Sequence, residues 1–422
     1  MTTRISVDGD RMLRRLDELG RLTATPGRGV TREAWSSDDL EARDLVAGWM
    51  RESGLDPVVD AATNLIGRSP GRVGRWLASG SHLDTVVHGG SLDGAYGVIA
   101  ALEVASSLHD AGHTMDHGFL VAGFANEEGA RGTAGMTGSY ACIGGLDDDA
   151  LAEVDDEGVT VRDRISGAGG DPADLASARW SLDEIDAFVE LHIEQGPVLD
   201  RSTTPIGVVT GITGRQALDL HITGAANHAG TTPMDLRNDA LVAAAEIILA
   251  VESLPRDAKI RVATSGHIAV SPNVRNVVPG EVVLGVELRD ESTEAIDSAM
   301  SRLDAAIDEV AQRRSVTVRR RRGQRVPPQL AASAIADSTR RAAASHDLGF
   351  VDLPSGAGHD AQVLAEAVPI GMIFVPSVGG VSHSQREHTD ASDLVAGAQV
   401  LLTTLLDLDG HAPADAASTG AR

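Results

Sequence analysis

The spacing of apolar residues predicts alternating helices and strands over the first half of the chain. Residues 10–24, 37–53 and 97–109 carry apolar side chains three or four positions apart, which is the period of a helix with one buried face. Strands are predicted where short apolar runs end near a turn: 57–66, 75–80, 118–124 and 187–193. Strand, helix, strand in this order is typical of a parallel sheet with crossover helices.

The pattern changes at about residue 208. From there, alternating or apolar runs predict strands at 217–223, 260–270, 282–289 and 315–321. Two helices, 238–254 and 293–312, lie between them. The first pattern then returns, with helices at 329–347 and 391–408 and strands at 350–353 and 370–375.

We therefore predict an α/β fold, in which a mostly parallel sheet with helices on both faces is interrupted by an inserted α+β domain. The divided domain is assigned to residues 1–210 and 323–422, and the inserted domain to residues 211–322. Residues 145–175 are acidic and rich in glycine, and are predicted as a solvated loop region with one short helix. The tail from about residue 409 has the composition of a disordered segment.

Composition narrows the class of protein. The 36 Lys and Arg residues against 61 Asp and Glu residues give a net charge of −25, which disfavours binding to nucleic acids or anionic membranes. Aromatic residues make up 3% of the chain, which argues against platforms that stack bases. Cys142 is the single cysteine, no run of about 18–20 apolar residues predicts a membrane span, and the first residues do not form a secretory signal. Cytoplasm is the expected location.

Acids and histidines follow several of the predicted strands. They comprise His82 with Asp84, Asp93 in a glycine-rich loop, the adjacent Glu127 and Glu128, His192, and His383. In open α/β sheets, ligands bind beyond the carboxyl ends of the strands. Each position also has an alternative interpretation. His82 and His192 could be buried core histidines, with Asp84 as the partner of His82, and the loop of Asp93 could be a plain glycine turn or a phosphate-binding loop. Glu127 and Glu128 could lie in an exposed acidic turn, and His383 in an ordinary surface loop.

Together these residues have the composition of a two-cation hydrolase site. Imidazole and carboxylate ligands without a thiolate suit Zn²⁺, Mn²⁺, Ni²⁺ or Co²⁺. Asp93 has two oxygens and could bridge two cations. Adjacent acids such as Glu127 and Glu128 repel each other unless a cation or a proton is present, so one is expected to bind metal and the other to act as general base on a water.

The inserted domain has its own polar candidates. His228 lies in a polar loop and could polarise a carbonyl or stabilise an oxyanion. Asn276 and Arg289 suit a substrate carboxylate, which a guanidinium binds in a bidentate manner. A helix cap or a surface ion pair is the alternative for each. The basic run 319–322 is predicted as a solvated strand edge.

Taken in order, the motifs resemble the metal-dependent amidohydrolase branch of the M20 peptidase family. This branch comprises N-carbamoyl-L-amino-acid hydrolases, allantoate amidohydrolases and β-ureidopropionases of the yeast type. The resemblance extends from about residue 10 to 408, and its most specific segments are GSHLDTV, LHIEQGPVL, NHAGTTPM, PNVRNVVPG, SGAGHDAQ and MIFVPSVGGVSHS. The HIEQG segment separates this branch from ordinary M20 peptidases.

The resemblance implies a role for each candidate residue. Two divalent cations are expected, and Asp93 is expected to bridge them. The five implied ligands are His82, Asp93, Glu128, His192 and His383. Asp84 is expected to orient His82, and Glu127 to act as the general base. Substrate contacts are implied for Gln195, His228, Asn276 and Arg289, with Gly358 in the site loop. The inserted domain is implied to be a lid through which the chain forms a homodimer, its strands joining those of the partner, and the NHAG histidine is implied to take part in an active site on closure.

Several positions depart from the family pattern. The bridging loop reads GGSLDG where relatives often have GGRYDG, and Gly132 follows Arg131 where many relatives have Phe. Residue 215 is Arg, and this extra cation suggests a substrate with a second anionic or strongly polar group. The predicted reaction is hydrolysis of the ureido C–N bond of N-carbamoyl-L-amino acids. Allantoate hydrolysis, hydrolysis of another ureide or N-acyl amino acid, and a non-catalytic binding module are the alternatives.

Overall fold

The structure, a computed structural model, describes residues 5–410 and divides them into two compact units. The first unit comprises residues 5–210 and 330–410, and the second comprises residues 211–329. The second unit ends at residue 329 rather than 322, because one strand runs from Thr317 to Val326 through the predicted boundary. The tail for which disorder is predicted lies, from residue 411, outside the described residues.

The first unit contains one large sheet and the helices that cover it. Its strands are β1 Asp56–Val59, β2 Leu65–Ser69, β3 Trp76–His82, β4 Gly118–Phe124, β5 Ile185–Ile193, β6 Ile206–Ile212, β13 Gln329–Leu330, β14 Phe350–Ser355 and β15 Ile370–Val375. Its helices are α1 Gly9–Gly20, α2 Ser37–Glu52, α3 Ala95–Asp110, α4 Thr137–Ile143, α5 Asp148–Ala152, α6 Val161–Gly167, α7 Val198–Ser202, α10 Ser333–Ser345, α11 Asp360–Leu364 and α12 Ala391–Asp409. The acidic segment 145–175 thus contains two short helices, α5 and α6, where the sequence predicts one.

The strand order of the large sheet is β1-β2-β4-β3-β5-β15-β6-β13, with β14 paired to β6. The central strands β4, β3, β5 and β15 are parallel, as predicted. The pairs β1–β2, β2–β4 and β6–β15 are antiparallel. The sheet is therefore mixed, with a parallel centre. The carboxyl ends of the four central strands meet at the same edge.

The prediction of one strand over residues 57–66 is wrong, because this segment forms a hairpin. The Asp60 carboxylate accepts the backbone N–H groups of Ala62 and Asn64, both at 2.9 Å. Thr63 has φ of 69°, which reverses the chain. An aspartate that accepts N–H groups two and four residues ahead stabilises a tight turn, and this local bonding replaces the extended conformation.

Helices cover both faces of the large sheet. Side chains of successive strand residues point to opposite faces, so the two faces of β5 can be distinguished. Val189 and Leu191 pack into the main hydrophobic core with α3 and α12. Glu190 points to the other face, where it accepts the backbone N–H of Ala361 in α11.

Helix α12 has the length and composition that a membrane span requires, and no other described helix does. Its residues Leu394, Ala398, Leu401 and Leu405 lie in the core of the first unit. Packing against α3 and α10 therefore accounts for its apolar character.

The second unit is a four-stranded antiparallel sheet with two long helices. The strands follow the order β12-β7-β11-β9, and a short pair, β8 with β10, lies outside this sheet. The elements are β7 Gly214–Thr223, β8 Asn227–His228, α8 Ala240–Asp257, β9 Val262–Ser271, β10 Val277–Val278, β11 Glu281–Asp290, α9 Thr293–Arg314 and β12 Thr317–Val326. Alternate residues of β7 and β11 pack against both helices in a second hydrophobic core, which leaves the other face of the sheet polar.

Candidate metal centre

The predicted ligands lie at the carboxyl edge of the parallel strands. His82 ends β3, His192 precedes the last residue of β5, and Glu128 follows the end of β4 by four residues, directly after the predicted base Glu127. Asp93 lies two residues before α3, and His383 lies in the loop between β15 and α12. This convergence follows from the parallel centre of the sheet, because equivalent ends of parallel strands share one edge.

Asp93 is the centre of the cluster. Its Oδ1 atom lies 3.2 Å from His192 Nε2 and 3.8 Å from His82 Nε2. Its Oδ2 atom lies 3.1 Å from His383 Nε2, which is 3.6 Å from Glu128 Oε2. Four groups of potential ligand atoms occur among residues 5–410, and within each group all atoms lie within 4.8 Å of one another. Two of them contain Asp93, namely His82–Asp93–His192 and Asp93–Glu128–His383; the other two are His82–Glu127–Glu128 and Glu190–His192–His359.

Backbone carbonyls fix the tautomers of the two buried histidines. His82 Nδ1 lies 2.9 Å from the Asp84 carbonyl oxygen, and His192 Nδ1 lies 2.9 Å from the Ile193 carbonyl oxygen. A carbonyl oxygen can only accept, so each Nδ1 carries the proton and donates it. The Nε2 lone pairs therefore face Asp93, which is the arrangement that a neutral imidazole ligand needs.

Asp84 contacts His82 through its backbone carbonyl rather than through its carboxylate. Its Oδ1 atom is 3.9 Å from His82 Nδ1, whereas the carbonyl of the same residue makes the hydrogen bond. The two carboxylate oxygens instead accept the backbone N–H groups of Glu127 and Glu128, each at 3.2 Å. Asp84 therefore orients His82 through its backbone and holds the acidic pair through its side chain.

Two further predicted residues lie at or near the cluster. Gln195, with φ of 58°, donates from Nε2 to Asp93 Oδ2 at 2.8 Å. Gly358 precedes His359, whose buried ring lies with its centroid 4.7 Å from that of His192. Burial lowers the pKa of His359 well below its ordinary value, and the neighbouring His192 lowers it further.

The remaining candidates belong to the second unit, where they form two pairs. His228 and Asn276 form the first pair. His228 is directly opposite Val277 in the short β8–β10 ladder, and Asn276 immediately precedes Val277 in the chain. The His228 Nδ1 atom accepts the backbone N–H groups of Gly230 and Thr231 at 3.1 and 3.2 Å. These bonds leave the proton on Nε2, so His228 presents a hydrogen-bond donor.

Arg215 and Arg289 form the second pair. They are directly opposite each other in the antiparallel ladder of β7 and β11, and so point to the same face of the sheet. Glu287, two residues before Arg289 and on the same face, accepts from Arg289 Nε at 2.7 Å. The structure therefore places the extra cation at residue 215 beside the arginine that the sequence assigns to a substrate carboxylate.

Sequence reasoning missed two acids of the first unit. Glu190 is buried, accepts from Ser81 Oγ at 2.7 Å and accepts the backbone N–H of Ala361 at 3.0 Å. Glu387 binds the backbone of the Asp93 loop. The alternation of side chains along β5 contains a signal for Glu190. This acid lies two residues before His192 in an otherwise apolar strand, so its side chain is on the same face of the sheet as that of His192.

Comparison with known proteins decides the family. The profile of Peptidase family M20/M25/M40 matches residues 78–407. The chain belongs to this family. It is 41% identical to an N-carbamoyl-L-amino acid amidohydrolase of Geobacillus stearothermophilus over 95% of this chain and 99% of the relative. It is 32% identical to an allantoate amidohydrolase of Bacillus subtilis, over 93% of this chain and 96% of that protein.

Solved structures agree with the family assignment. An amidase of the hydantoinase/carbamoylase family from Burkholderia multivorans superimposes with a TM-score of 0.89 at 35% identity. The match covers 96% of this chain and 98% of that structure. The mixed α/β architecture with its parallel centre is therefore an architecture of the M20 family.

The buried acids of this M20 protein have the properties of a cation site. Burial, and after it the nearby Asp93, raise the pKa of Glu128 to about 7. Burial also raises the pKa of Glu127 well above its ordinary value, although His82 opposes the shift. The Oε1 atom of Glu128 is buried and has no hydrogen-bond partner among the described residues. Imidazole nitrogens and carboxylate oxygens around an unsatisfied oxygen are consistent with divalent metal binding.

Proposed function

We propose that this chain is a metal-dependent amidohydrolase that cleaves the ureido C–N bond of N-carbamoyl-L-amino acids. The observation that carries the proposal is the position of Asp93, shared by two groups of ligand atoms, with the second acid Glu127 beside them. The identity to the Geobacillus stearothermophilus relative, at 41% over 95% of this chain, supports the substrate class.

The site is proposed to hold two divalent cations, with Zn²⁺, Mn²⁺, Co²⁺ and Ni²⁺ as the candidates. His82, Asp93 and His192 would hold one, and Asp93, Glu128 and His383 would hold the other. When bound, such cations act as Lewis acids that polarise a carbonyl group and lower the pKa of water toward about 7.

Glu127 is proposed to be the general base and then the general acid. Its Oε2 atom lies 3.7 Å from His82 Nε2, and its backbone is fixed by Asp84. It accepts a proton from the attacking water, whose oxygen bonds to the ureido carbon. The C–N bond to the amino acid then breaks, and Glu127 returns the proton to the departing amine. The carbamic acid formed decomposes to CO₂ and ammonia.

Residues of the second unit are proposed to bind the substrate. His228 presents Nε2–H, which would donate to the oxyanion, a contribution of about 2.7–4 kcal/mol per donor in known enzymes. The Asn276 amide and the Arg289 guanidinium would hold the α-carboxylate. Gln195 of the first unit is proposed to contact the substrate, with Gly358 in the loop beside it.

The second unit is also proposed to be the lid and the dimer interface. Strand β9 is an edge strand that exposes Val262 and Ile268, at 40% and 45%. Leu249 of the adjacent helix α8 is 65% exposed. An open strand edge beside apolar side chains suits pairing with a second copy of this chain. The proposed location is the cytoplasm.

Allantoate hydrolysis is the second candidate function. The relative of Bacillus subtilis named allantoate amidohydrolase supports it at 32% identity, and the arginine pair at residues 215 and 289 suits a strongly polar substrate. Simple N-acyl amino acids are the third candidate class.

The experiment is an ammonia-release screen with purified protein and added Mn²⁺, Zn²⁺, Co²⁺ or Ni²⁺. The panel contains N-carbamoyl-L-amino acids, allantoate and N-acetyl-L-amino acids, the last scored by amine release. We expect ammonia from the carbamoyl substrates, and loss of turnover after chelation that added metal restores. Turnover of allantoate alone would favour the second candidate, and turnover that survives complete chelation would contradict the proposal.

A further inference from the structure

Glu387 lies four residues after the candidate ligand His383, in the loop between β15 and α12. It belongs to none of the groups of potential ligand atoms found among residues 5–410. Its side chain nevertheless reaches the segment that carries Asp93. Its contacts therefore bear on how the cluster is held together.

One oxygen of Glu387 binds the backbone of the Asp93 loop. Its Oε1 atom accepts the N–H groups of Leu92 and Asp93, at 3.0 and 3.1 Å. These successive amides lie just before α3, whose N-cap residue Gly94 provides no side-chain cap. A carboxylate that accepts two backbone N–H groups forms charge-assisted hydrogen bonds, which are about twice as strong as neutral ones.

The other oxygen binds the segment that carries His383. Its Oε2 atom lies 2.9 Å from Ser382 Oγ, and the same hydroxyl lies 3.2 Å from Asp93 Oδ2. The single hydroxyl proton can be donated to either acceptor. Glu387 and Ser382 thus connect the loop of Asp93 to the loop of His383.

Gly90 makes room for this carboxylate. A Cβ atom at residue 90 would lie 2.0 Å from Glu387 Oε1 and 2.5 Å from Glu387 Cβ. Gly90 does not have a positive φ, so an alanine would fit the backbone but not the space. A side chain at residue 90 therefore requires a shift of Glu387 or of the loop that carries Gly90, and we expect this shift to weaken the bonds to Leu92 and Asp93.

We propose that Glu387 is a positioning residue that sets the distance between Asp93 and His383, and so controls the affinity of the cluster for cations without being a ligand itself. The inference rests on the proposed binding of two divalent cations. Residues that orient metal ligands typically account for about 10–100-fold in metal affinity or activity.

The test is titration of metal-free protein with Zn²⁺ in competition with a chromogenic chelator, with stoichiometry from native mass spectrometry. The variants are Glu387→Gln, which keeps the shape but weakens the acceptors, and Gly90→Ala, which displaces the unchanged carboxylate. Glu366→Gln, an exposed acid of the same unit, is the matched control. We expect Glu387→Gln and Gly90→Ala to weaken Zn²⁺ binding by about 10–100-fold, and Glu366→Gln to bind as the wild type does.

Thermal unfolding of the metal-free proteins separates positioning from general stability. A positioning role predicts weakened Zn²⁺ affinity at an almost unchanged unfolding temperature of the metal-free protein. The inference is overturned if the wild type binds two Zn²⁺ ions and both variants bind them within twofold of it. It is also overturned if the variants unfold at lower temperature while the affinity of their folded state is retained. A wild type that binds no Zn²⁺ would instead contradict the proposed function.

Discussion

The two units place their charges differently. At the strand ends of the first unit, the acids Asp84, Asp93, Glu127 and Glu128 lie close together, and each has a histidine nitrogen within 3.9 Å. In the second unit, acids and arginines pair at the surface, as Glu246 does with Arg313 and Arg314. Burial of several like charges is unfavourable unless protons or cations compensate, whereas exposed pairs cost little and contribute little.

Burial alone does not mark a functional site. His117 of the first unit is buried as well, but its two ring nitrogens lie 2.9 Å from Asp409 and 2.9 Å from Asp186. Asp186 is paired in turn with Arg75. In this network each carboxylate, Asp186 and Asp409, has a nitrogen partner. The network also joins the start of β4 to the end of α12. The candidate metal centre differs because acids outnumber the groups that could neutralise them.

The first prediction tests the acid pair of the first unit and has the largest expected effect. Glu127→Gln should lower kcat by about 10²–10⁴-fold while the protein keeps its metal, because the amide cannot accept the proton. Glu128→Gln should instead lose metal, because its oxygen is a proposed ligand. The measurements are ammonia release and metal content of the same preparations. Near-normal turnover of Glu127→Gln would remove this residue from the role of general base.

The second prediction tests where the stability of the second unit lies. Leu303 of α9 is fully buried in the second core. Leu303→Ala should lower the free energy of unfolding by about 2–5 kcal/mol, because it leaves a cavity. Urea denaturation followed by circular dichroism measures this loss, and Zn²⁺ titration serves as control. We expect the folded variant to bind Zn²⁺ as the wild type does. A loss of Zn²⁺ binding free energy as large as the loss of unfolding free energy would contradict the view that the second core does not contribute to metal binding.

The third prediction tests whether Arg215 of the second unit binds the substrate. If Arg215 binds a second anionic group, N-carbamoyl-L-aspartate should be preferred over N-carbamoyl-L-methionine. Arg215→Gln should then reduce this preference in kcat/KM by about tenfold or more, since hydrogen bonds to charged groups contribute about 1.5–3 kcal/mol. Arg321→Gln, on the same sheet and paired with Asp219, is the control. An unchanged preference in both variants would make Arg215 a surface charge.

The fourth prediction concerns the surface pairs and has the smallest expected effect. Arg314, and then Arg313, lower the pKa of Glu246 below its ordinary value. The pairing therefore stabilises the fold above the unfolded pKa of about 4.3, and this contribution is lost as the pH falls through the lower folded pKa. Glu246→Gln should cost less than about 1 kcal/mol at pH 7.

Urea denaturation at a series of pH values checks this sign. The difference between wild type and Glu246→Gln should shrink as the solution becomes acidic. A difference that is constant with pH would show that the carboxylate acts through packing instead. Glu252 provides the control for an exposed pair, because its carboxylate lies 3.7 Å from Arg256. The control variant is Glu252→Gln.

Local patterns predicted the elements that carry the site. The apolar run 118–124 coincides with β4, and helical spacing placed α2, α3 and α12 within a few residues. The rule that ligands follow strand ends selected His82, Glu128 and His192 from the sequence. The hairpin at Asp60 was missed, because its turn depends on side-chain hydrogen bonds that a hydrophobic pattern does not register.

The sequence by itself determined the family, the parallel α/β class and the identity of the groups that gather around Asp93, because these depend on residue type and on periodicity along the chain. Only the tertiary structure decided how those groups are held. The Asp84 carboxylate binds the backbone of Glu127 and Glu128, and Glu387 binds the loop of Asp93. These contacts join residues that are 43 to 294 positions apart in the chain. Their energies depend on distance and burial, which no pattern along the chain contains.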